Sequence, residues 1–399
     1  MKSFFVKIGK VTNSIRKEGV FRGGQKVAGY LGVFLKSLVE KKTGDILFIT
    51  GGVGDSARYR AFNVTEELNL HGLSASAAMS DDPFLLRYVD KFKVFIFHKT
   101  IFTPKMEKLV EKIRAQKKEI IFDADDLLFD PKYQEKIDYF RNTNVLEKKS
   151  YETGLGKEIL TNSYVKTCTA STSFLADILR NHGKKVFIVP NKLSGDDLRI
   201  TEKIRVARHE TQFSDIKIGY FSGSFGHNKD FATITDALIS VMEKYPAVKL
   251  FLAGPLNMES ALNRFRDRIV QLPFVSRKNH FKNISEVDIG IAPLEIGNPF
   301  CESKSELKFF EAGILGVPTV AVRNQTFNEA IIDGVDGFLA SSTLEWIEKI
   351  GKLIEDEGLR KTMGEKARQK CLKKYTNKNS GNEEYYNYLR SELKSSSSS

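Results

Sequence analysis

A chain of 399 residues with 41% hydrophobic and 28% charged content has the composition of a soluble globular protein of about two domains. It contains no apolar run long enough to span a membrane, and lysines interrupt its first apolar stretches, so no signal peptide is expected. Three scattered cysteines (Cys168, Cys301, Cys371) without C-x-x-C spacing argue against a disulfide framework or structural zinc and suit a cytoplasmic protein.

The net charge of +12 is concentrated at the start, where residues 1–43 hold ten Lys/Arg against two Glu. Apolar residues recur there at helical spacing: Phe4, Ile8, Val11 and Ile15, then Val27, Leu31, Phe34 and Leu38. Such a basic amphipathic leader suits the anionic inner face of a membrane, and equally a solvated helix packed on the first domain. The basic residues are not interleaved with a nucleic-acid-binding module, so nucleic acid is not expected as a partner.

From residue 45, short apolar runs alternate with helical stretches. Strands are expected at 45–50, 93–97, 119–122, 159–163 and 185–190, with helices near 57–71, 105–116 and 171–181. Residues 191–215 are polar and read as a linker between domains. A second alternation follows, with strands at 216–221, 248–254, 288–294 and 318–322. Its helices are expected near 230–244, 259–270, 304–315, 343–354 and 357–373. The pattern is α/β with two doubly wound, Rossmann-like domains facing a central cleft. The first is expected over 44–195, completed by a C-terminal helix at about 376–393, and the second over 210–375. Residues 394–399 form a low-complexity serine tail, expected to be disordered.

Four stretches carry chemistry. "TGGVGDSARYR" (50–60) follows the first strand; Gly51, Gly52 and Gly54 permit a tight turn and close ligand approach. The spacing is neither that of a dinucleotide fingerprint nor that of a P-loop. Arg58 and Arg60 are acceptor-side candidates able to bind an anion, or surface arginines beside a structural turn. "IIFDADDLLFD" (120–130) ends a strand with Asp123, Asp125 and Asp126, which suit Mg²⁺, a base or hydroxyl binding, or a solvated helix cap. This D-x-D is similar to the nucleophile strand of haloacid-dehalogenase-type phosphatases, although here it lies on the third strand rather than the first. His98 closes the second strand, as a structural residue or facing the site.

"GYFSGSFGHNKDF" (219–231) places Gly223, Ser224 and Gly226 in a small-residue loop ahead of His227, Lys229 and Asp230, a pattern suited to a diphosphate. "NPFCESKSELKFFEAGILGVPTVA" (298–321) turns from loop to helix. Amides near Ser305, Glu306 and Leu307, with Lys304 and Lys308, are positioned for an anion. Glu311 is placed to accept the two vicinal hydroxyls of a ribose. Ordinary surface Lys–Glu pairing is the alternative.

The last two stretches, with "VFIVPN" (186–191), resemble the retaining GT-B glycosyltransferases of the family-4 type, over roughly residues 45–393. The resemblance is nearest to bacterial enzymes of surface-polysaccharide or glycolipid assembly. It implies an acceptor mainly on the first domain and a nucleotide sugar mainly on the second. Glu311 matches the second glutamate of the family's paired-glutamate motif, which holds the ribose. Lys229 matches the lysine that contacts the diphosphate, and the loop at 51–54 matches the first-domain loop facing the donor phosphates. Two positions depart from the pattern: Ser303 stands where the first glutamate is expected and Ser224 where an arginine is usual. Glu302 or Glu306, and Lys304 or Lys308, are the possible substitutes.

These observations lead to transfer of a sugar from a nucleoside diphosphate donor to a hydroxyl acceptor, with retention and with no metal required. Lys229 serves the leaving diphosphate, and His98 or an acid among Asp125 and Asp126 positions the acceptor. If the leader binds membrane, the acceptor is lipid-linked. Two alternatives stand beside this: a catalytically silent GT-B-like module that binds a nucleotide or partner, and a Mg²⁺-dependent phosphatase using Asp123 and Asp125.

Overall fold

A computed structural model describes residues 41–52, 54–137, 140, 145–208, 215–223 and 227–395. The expected leader up to residue 40, the end of the serine tail and Ser224 lie outside the described residues. The chain forms two compact units, one built mainly from the chain up to Lys192 and from Gly381 onward, the other mainly from Leu193–Ser380.

The first unit is a six-stranded parallel sheet in the order β2-β1-β3-β4-β5-β6. Its strands are β1 (Ile46–Thr50), β2 (Ala75–Met79), β3 (Val94–His98), β4 (Glu119–Ala124), β5 (Thr167–Ala170) and β6 (Lys185–Ile188). Strands β1 and β3 are buried along their whole length, which is why they read as continuous apolar runs. Their register aligns Thr50 with His98, and His98 with Asp123, so three polar side chains end neighbouring apolar strands together. A helical run, α1, leaves β1 as an α-turn (Asp55–Ala57), passes through a π-helical stretch (Arg58–Asn63) and ends as an α-helix (Val64–Leu70). Helices α2 (Pro104–Ala115) and α3 (Ser173–Arg180) are capped by the Thr103 and Thr172 hydroxyls, which accept from Met106 N–H and Leu175 N–H.

The second unit has the order β12-β11-β10-β7-β8-β9. Its strands are β7 (Lys217–Phe221), β8 (Lys249–Ala253), β9 (Ile269–Leu272), β10 (Ile289–Ala292), β11 (Thr319–Val322) and β12 (Phe338–Ala340). Its helices include α4 (Gly195–Arg208), α5 (Asn228–Ala232), α6 (Thr235–Lys244), α7 (Arg277–Ser285), α8 (Leu307–Gly313), α9 (Thr343–Glu355) and α10 (Glu357–Lys374). The last helix, α11 (Glu383–Ser395), belongs to the first unit, where Tyr385, Tyr386 and Leu389 join the core with Ile46, Phe48 and Ile96. In each sheet the chain reverses its direction of progress once, between β1 and β3 and between β7 and β10. Ligands of open α/β sheets bind beyond the strand ends at such switch points.

Several expected elements differ. Residues 159–163 are not a strand: Lys157–Leu160 is one helical turn begun at Gly156, which has a left-handed backbone, and the Asn162 carboxamide then accepts Tyr164 N–H to close a local turn. The strand is Thr167–Ala170 instead. The expected linker is largely helix α4, whose polarity comes from ion pairs one turn apart, Asp196 with Arg199 and Glu202 with Arg205. Strands β2, β9 and β12 were not foreseen, and the helix expected near 259–270 is a 3₁₀ run, Ser260–Arg268.

Candidate functional site

In the second unit, polar groups gather at the β7/β10 switch point. Glu311, on α8, is 8% exposed. One of its oxygens receives the Arg277 guanidinium, and the other lies 3.0 Å from His280 Nε2. Arg277 is itself anchored, donating from Nε to Asp197 at 2.9 Å and lying 4.3 Å above the Phe281 ring. A narrow crevice beside these groups is lined by Gly219 and Phe221 from β7, Gly290 and Ile291 from β10, and Ile284, Lys308, Glu311 and Ala312. The glycine-rich stretch after Glu311 explains how α8 sits so close to its neighbours. A Cβ on Gly313 would stand 2.7 Å from Cys371 Sγ on α10.

A second cluster centres on Asp230, which is almost fully buried. Its carboxylate receives Lys304 Nζ at 2.7 Å and His227 Nδ1 at 2.8 Å on one oxygen, and Cys301 Sγ and Glu295 N–H on the other, both at 3.2 Å. Burial opposes its ionisation, but the His227 hydrogen bond and the Lys304 charge hold it well below the usual carboxylate range. His227 is pushed down to about 3 by burial and by the Lys304 and Lys308 charges, so its ring is neutral. Asp230, Glu295 and Cys301 bring ligand-type atoms within 4.8 Å of one another, but the Lys304 ammonium already fills the cation position.

The two lysines of the stretch therefore differ. Lys304 is committed to Asp230, whereas Lys308 has no carboxylate at ion-pair distance among the described residues and lies over the Tyr220 ring at 5.5 Å. Burial, with the Lys304 charge adding, pulls Lys308 down to about 8. Glu306 is engaged elsewhere. Its carboxyl accepts from Tyr375 and from its own amide, and burial pushes it up to about 7. Of the three amides expected to face an anion, that of Glu306 is thus taken by its own side chain. Ser305 and Leu307 are half-buried beside it. Ser303 is fully buried and donates to Phe300 O at 2.8 Å, while Glu302 accepts Gly297 N–H at 3.2 Å. Lys229 and Gly223 are exposed.

In the first unit, the ends of β1, β3 and β4 converge as the register requires. His98 is buried, with Nδ1 3.0 Å from Thr50 Oγ1 and Nε2 3.2 Å from both Ser56 Oγ and Asp125 Oδ1. Ser56 donates to Asp125 at 2.5 Å. Lys99 Nζ bridges Asp125 at 2.8 Å and Asp126 at 2.6 Å. Burial opposes ionisation of Asp125, but Lys99 and His98 hold it ionised. Asp126 is pushed up, by burial and then by the Asp125 charge, against the pull of Lys99. The turn is locked by Gly51, whose N–H donates to His98 O at 2.9 Å, and a Cβ there would stand 1.8 Å from Lys99 O. Lys99 takes a left-handed backbone (φ 47°), uncommon for a residue with a side chain and frequent at sites that need one aimed. Gly52 is half-buried, and Gly54 is exposed with φ 140°.

Arg58 lies half-buried 3.5 Å from Asp55. Arg60 is not an acceptor-side group. It is fully buried and forks onto Asp123 at 2.6 and 3.1 Å. Thr169 donates to the same carboxylate at 2.6 Å. Asp123 is therefore a buried carboxylate tied through both oxygens to Arg60, held as a structural ion pair rather than presented as a nucleophile, which corrects the phosphatase expectation. Asp197, Arg277, His280, Ser56 and Lys99 were missed. Arg277 and His280 lie one turn apart in "RKNHFKN", a stretch whose only helical signal is local and polar.

Residues 216–356 match the family described as Glycosyl transferases group 1. No curated protein matches the chain by sequence. Among solved structures, the chain is similar to Anabaena HepE in complex with UDP (16% identity, TM-score 0.56), over 88% of this chain and 100% of that one. It is similar to sucrose-phosphate synthase of Thermosynechococcus elongatus (13%, TM-score 0.55; 88% and 98% covered). It is also similar to a glycosyltransferase from Rickettsia africae (13%, TM-score 0.56; 89% and 99% covered). The fold is GT-B: two parallel six-stranded Rossmann-like sheets with helices. No described helix is long and apolar enough to cross a membrane.

Proposed function

We propose that the chain is a glycosyltransferase that moves a sugar from a nucleoside diphosphate donor to a hydroxyl acceptor. The observation that carries this reading is the convergence on one crevice at the β7/β10 switch point of buried Glu311 and of Lys308, which has no carboxylate at ion-pair distance among the described residues, within residues 216–356. Glu311 accepts the ribose hydroxyls. Lys308, Lys229 and the Ser305 and Leu307 amides face the diphosphate, and Lys304 is held by Asp230 as its support. HepE has been solved with UDP and with UDP-glucose, which makes a uridine nucleotide the first donor to test.

In the transfer, the bond from the anomeric carbon to the β-phosphate oxygen breaks, and the nucleoside diphosphate departs with both electrons. The lysines and amides stabilise that charge, with no metal required of them. The acceptor oxygen bonds to the anomeric carbon, and its proton passes to the departing phosphate. Attack on the same face retains the anomeric configuration, and no side chain is assigned as a covalent nucleophile. His98, with Asp125 ionised beside it, positions the acceptor hydroxyl. The basic leader suits a lipid-linked acceptor at an anionic membrane surface, as in polysaccharide or glycolipid assembly.

Binding of UDP, and release of UDP from UDP-sugars in the presence of candidate acceptors, tests the reading. Glu311→Ala weakens nucleoside diphosphate binding by about 1.5–3 kcal/mol, the value of hydrogen bonds to a charged group. Unchanged affinity removes the ribose assignment. One observation favours a second reading, a silent nucleotide-binding module: Ser303, Glu302 and Glu306 are all engaged within the protein, so no acid stands in for the absent glutamate. Tight nucleotide binding without turnover on any acceptor supports that alternative.

A further inference from the structure

We propose that the edge of the first unit where β3, β4, β5 and β6 begin is a docking surface for an anionic lipid bilayer, held through Lys91, Lys117, Lys166 and Lys185. The inference goes beyond sugar transfer and does not rest on the donor-site reading. It also differs from the reading of the leader, because every residue it uses belongs to the folded unit.

Topology makes the edge. The strands are parallel, so their first residues lie along one side of the sheet, about 4.8 Å apart from strand to strand. Basic residues stand at the start of four neighbouring strands. Lys91 and Lys93 lead into β3, Lys117 and Lys118 into β4, and Lys166 into β5, while Lys184 precedes Lys185, the first residue of β6. The register sets Lys118 level with Lys93, and Lys184 level with Lys166. Two of these side chains are tethered in place: Lys118 Nζ donates to Val89 O at 2.5 Å, and Lys184 Nζ donates to Val165 O at 2.6 Å. Burial lowers Lys118's hold on its proton, and the Lys112 and Lys93 charges add to this against the pull of Asp90. Burial and the Lys166 charge act on Lys184 in the same direction. Like charges are thus held side by side, and an anionic surface would relieve their repulsion.

The acids nearby do not neutralise the row. Asp45 is engaged by Lys93 at 3.3 Å, and Asp90 by Lys112 at 2.7 Å. Glu119 is half-buried, accepts from the Tyr388 hydroxyl at 2.7 Å, and is raised by burial. Lys91, Lys117, Lys166 and Lys185 are exposed and have no carboxylate at ion-pair distance among the described residues. The second sheet shows that such an edge is no rule of parallel α/β units. There Lys249 pairs with Asp215 at 2.6 Å, Asp288 accepts Lys217 N–H at 2.9 Å, and β11 and β12 follow Pro318 and Gly337.

Two observations favour a bilayer as the occupant. Lysines spread along a straight edge match an extended layer of charge, where each basic side chain strengthens binding about fivefold. The leader also joins the unit at this edge, since Lys41 and Lys42 run into β1 there. The opposite ends of the same strands, where His98 and Asp125 lie, then face away from the lipid, so the edge anchors the unit without covering them.

The test is co-sedimentation of the full chain with phosphatidylcholine vesicles made with and without phosphatidylglycerol. Binding is expected only with phosphatidylglycerol and weakens as salt rises. Lys91→Gln, Lys117→Gln and Lys166→Gln combined are expected to weaken it by about thirtyfold or more, while the same three positions changed to Arg keep it within about threefold. Lys361→Gln, Lys366→Gln and Lys373→Gln on α10 make the same change in net charge and are expected to weaken binding by no more than about threefold. The unfolding temperature checks that each protein is folded. If the first triple variant does not fold, its three single variants decide the outcome, each about fivefold weaker than the wild type. Unchanged affinity in the first triple variant, or an equal loss in the α10 variant, overturns the inference. Binding lost only when the leader's Lys and Arg are changed to Gln makes the leader the anchor and likewise overturns it. A wild type captured by soluble heparin but not by phosphatidylglycerol vesicles assigns the edge to a soluble polyanion and overturns the bilayer. The donor-site reading stands or falls separately, on UDP binding.

Discussion

Arg60 grips both oxygens of Asp123, at 2.6 and 3.1 Å, and neither side chain is more than 1% exposed. The same guanidinium reaches Val189 O and the Asn191 carboxamide. The pair therefore ties the π-helical stretch of α1 to the end of β4 and to the segment after β6. Burial alone would weaken Arg60's hold on its proton, but Asp123 more than compensates and strengthens it.

Breaking one side of such a pair leaves an uncompensated buried charge. Asp123→Asn is expected to destabilise the first unit by about 3–5 kcal/mol, read by denaturant unfolding. The wild type is expected to release no phosphate from model esters with Mg²⁺. An Asn variant as stable as the wild type would sink the structural assignment, and Mg²⁺-dependent release lost in that variant would revive the phosphatase.

Lys308 predicts a pH dependence of donor binding. Its ammonium is pulled down to about 8. Below that value the charge is present and attracts the diphosphate; above it the amine becomes neutral and the attraction fades. Nucleoside diphosphate affinity is expected to fall by about tenfold between about pH 7 and pH 9.5, with proton uptake on binding near the upper end. Lys308→Arg keeps its charge and should flatten the profile. Calorimetric titration in buffers of different ionisation enthalpy checks both, and an identical profile in the Arg variant counts against Lys308.

Glu306 predicts a pH dependence of stability. Its carboxyl is raised to about 7, above the ordinary value of about 4.3, so the folded state holds a proton that the unfolded chain releases. Its contribution is fully present below the unfolded value and is lost as pH rises to about 7. The loss is up to about 3 kcal/mol. Glu306→Gln removes this sensitivity, so its melting-temperature advantage over the wild type should be larger at about pH 8 than at about pH 4.5. Equal differences at the two pH values would contradict the assignment.

His98 and Asp125 predict a separation of binding from turnover. His98→Ala or Asp125→Asn is expected to lower kcat by about 10²–10⁴, the usual range for a positioned polar group in proton transfer. Nucleoside diphosphate affinity should stay within about threefold, since these residues lie on the first unit's sheet. Stopped assays paired with nucleotide binding measure the two effects. A loss confined to binding would place His98 in the donor site instead.

The apolar strands and their glycine-bounded turns could be read directly. "ILFIT", "VFIFH" and "KIGYF" are buried parallel strands, and such strands show continuous apolar runs. Strands β2 and β12 escaped notice because "ASAAM" and "FLA" are too short or too small in side chain to carry a periodic signal. Helix α4 escaped because its ion pairs, rather than an apolar stripe, mark it. Arg60 shows the opposite failure: a charged residue beside a glycine turn looks exposed in one dimension, and only the register of β4 brings Asp123 against it.

The sequence alone determined the chemical inventory: two α/β halves, glycines at the strand ends, and a basic and acidic stretch leading into Glu311. Those features are local, since periodicity, turn chemistry and residue type depend on a few neighbours along the chain. The tertiary structure decided which charges remain available. Asp230 removes Lys304, Tyr375 occupies Glu306, Asp123 buries Arg60, and Arg277 and His280 hold Glu311. Ion pairing is set by distance in space and by burial, and each of these partners, except Asp230 for its neighbour His227, lies more than 30 residues away along the chain.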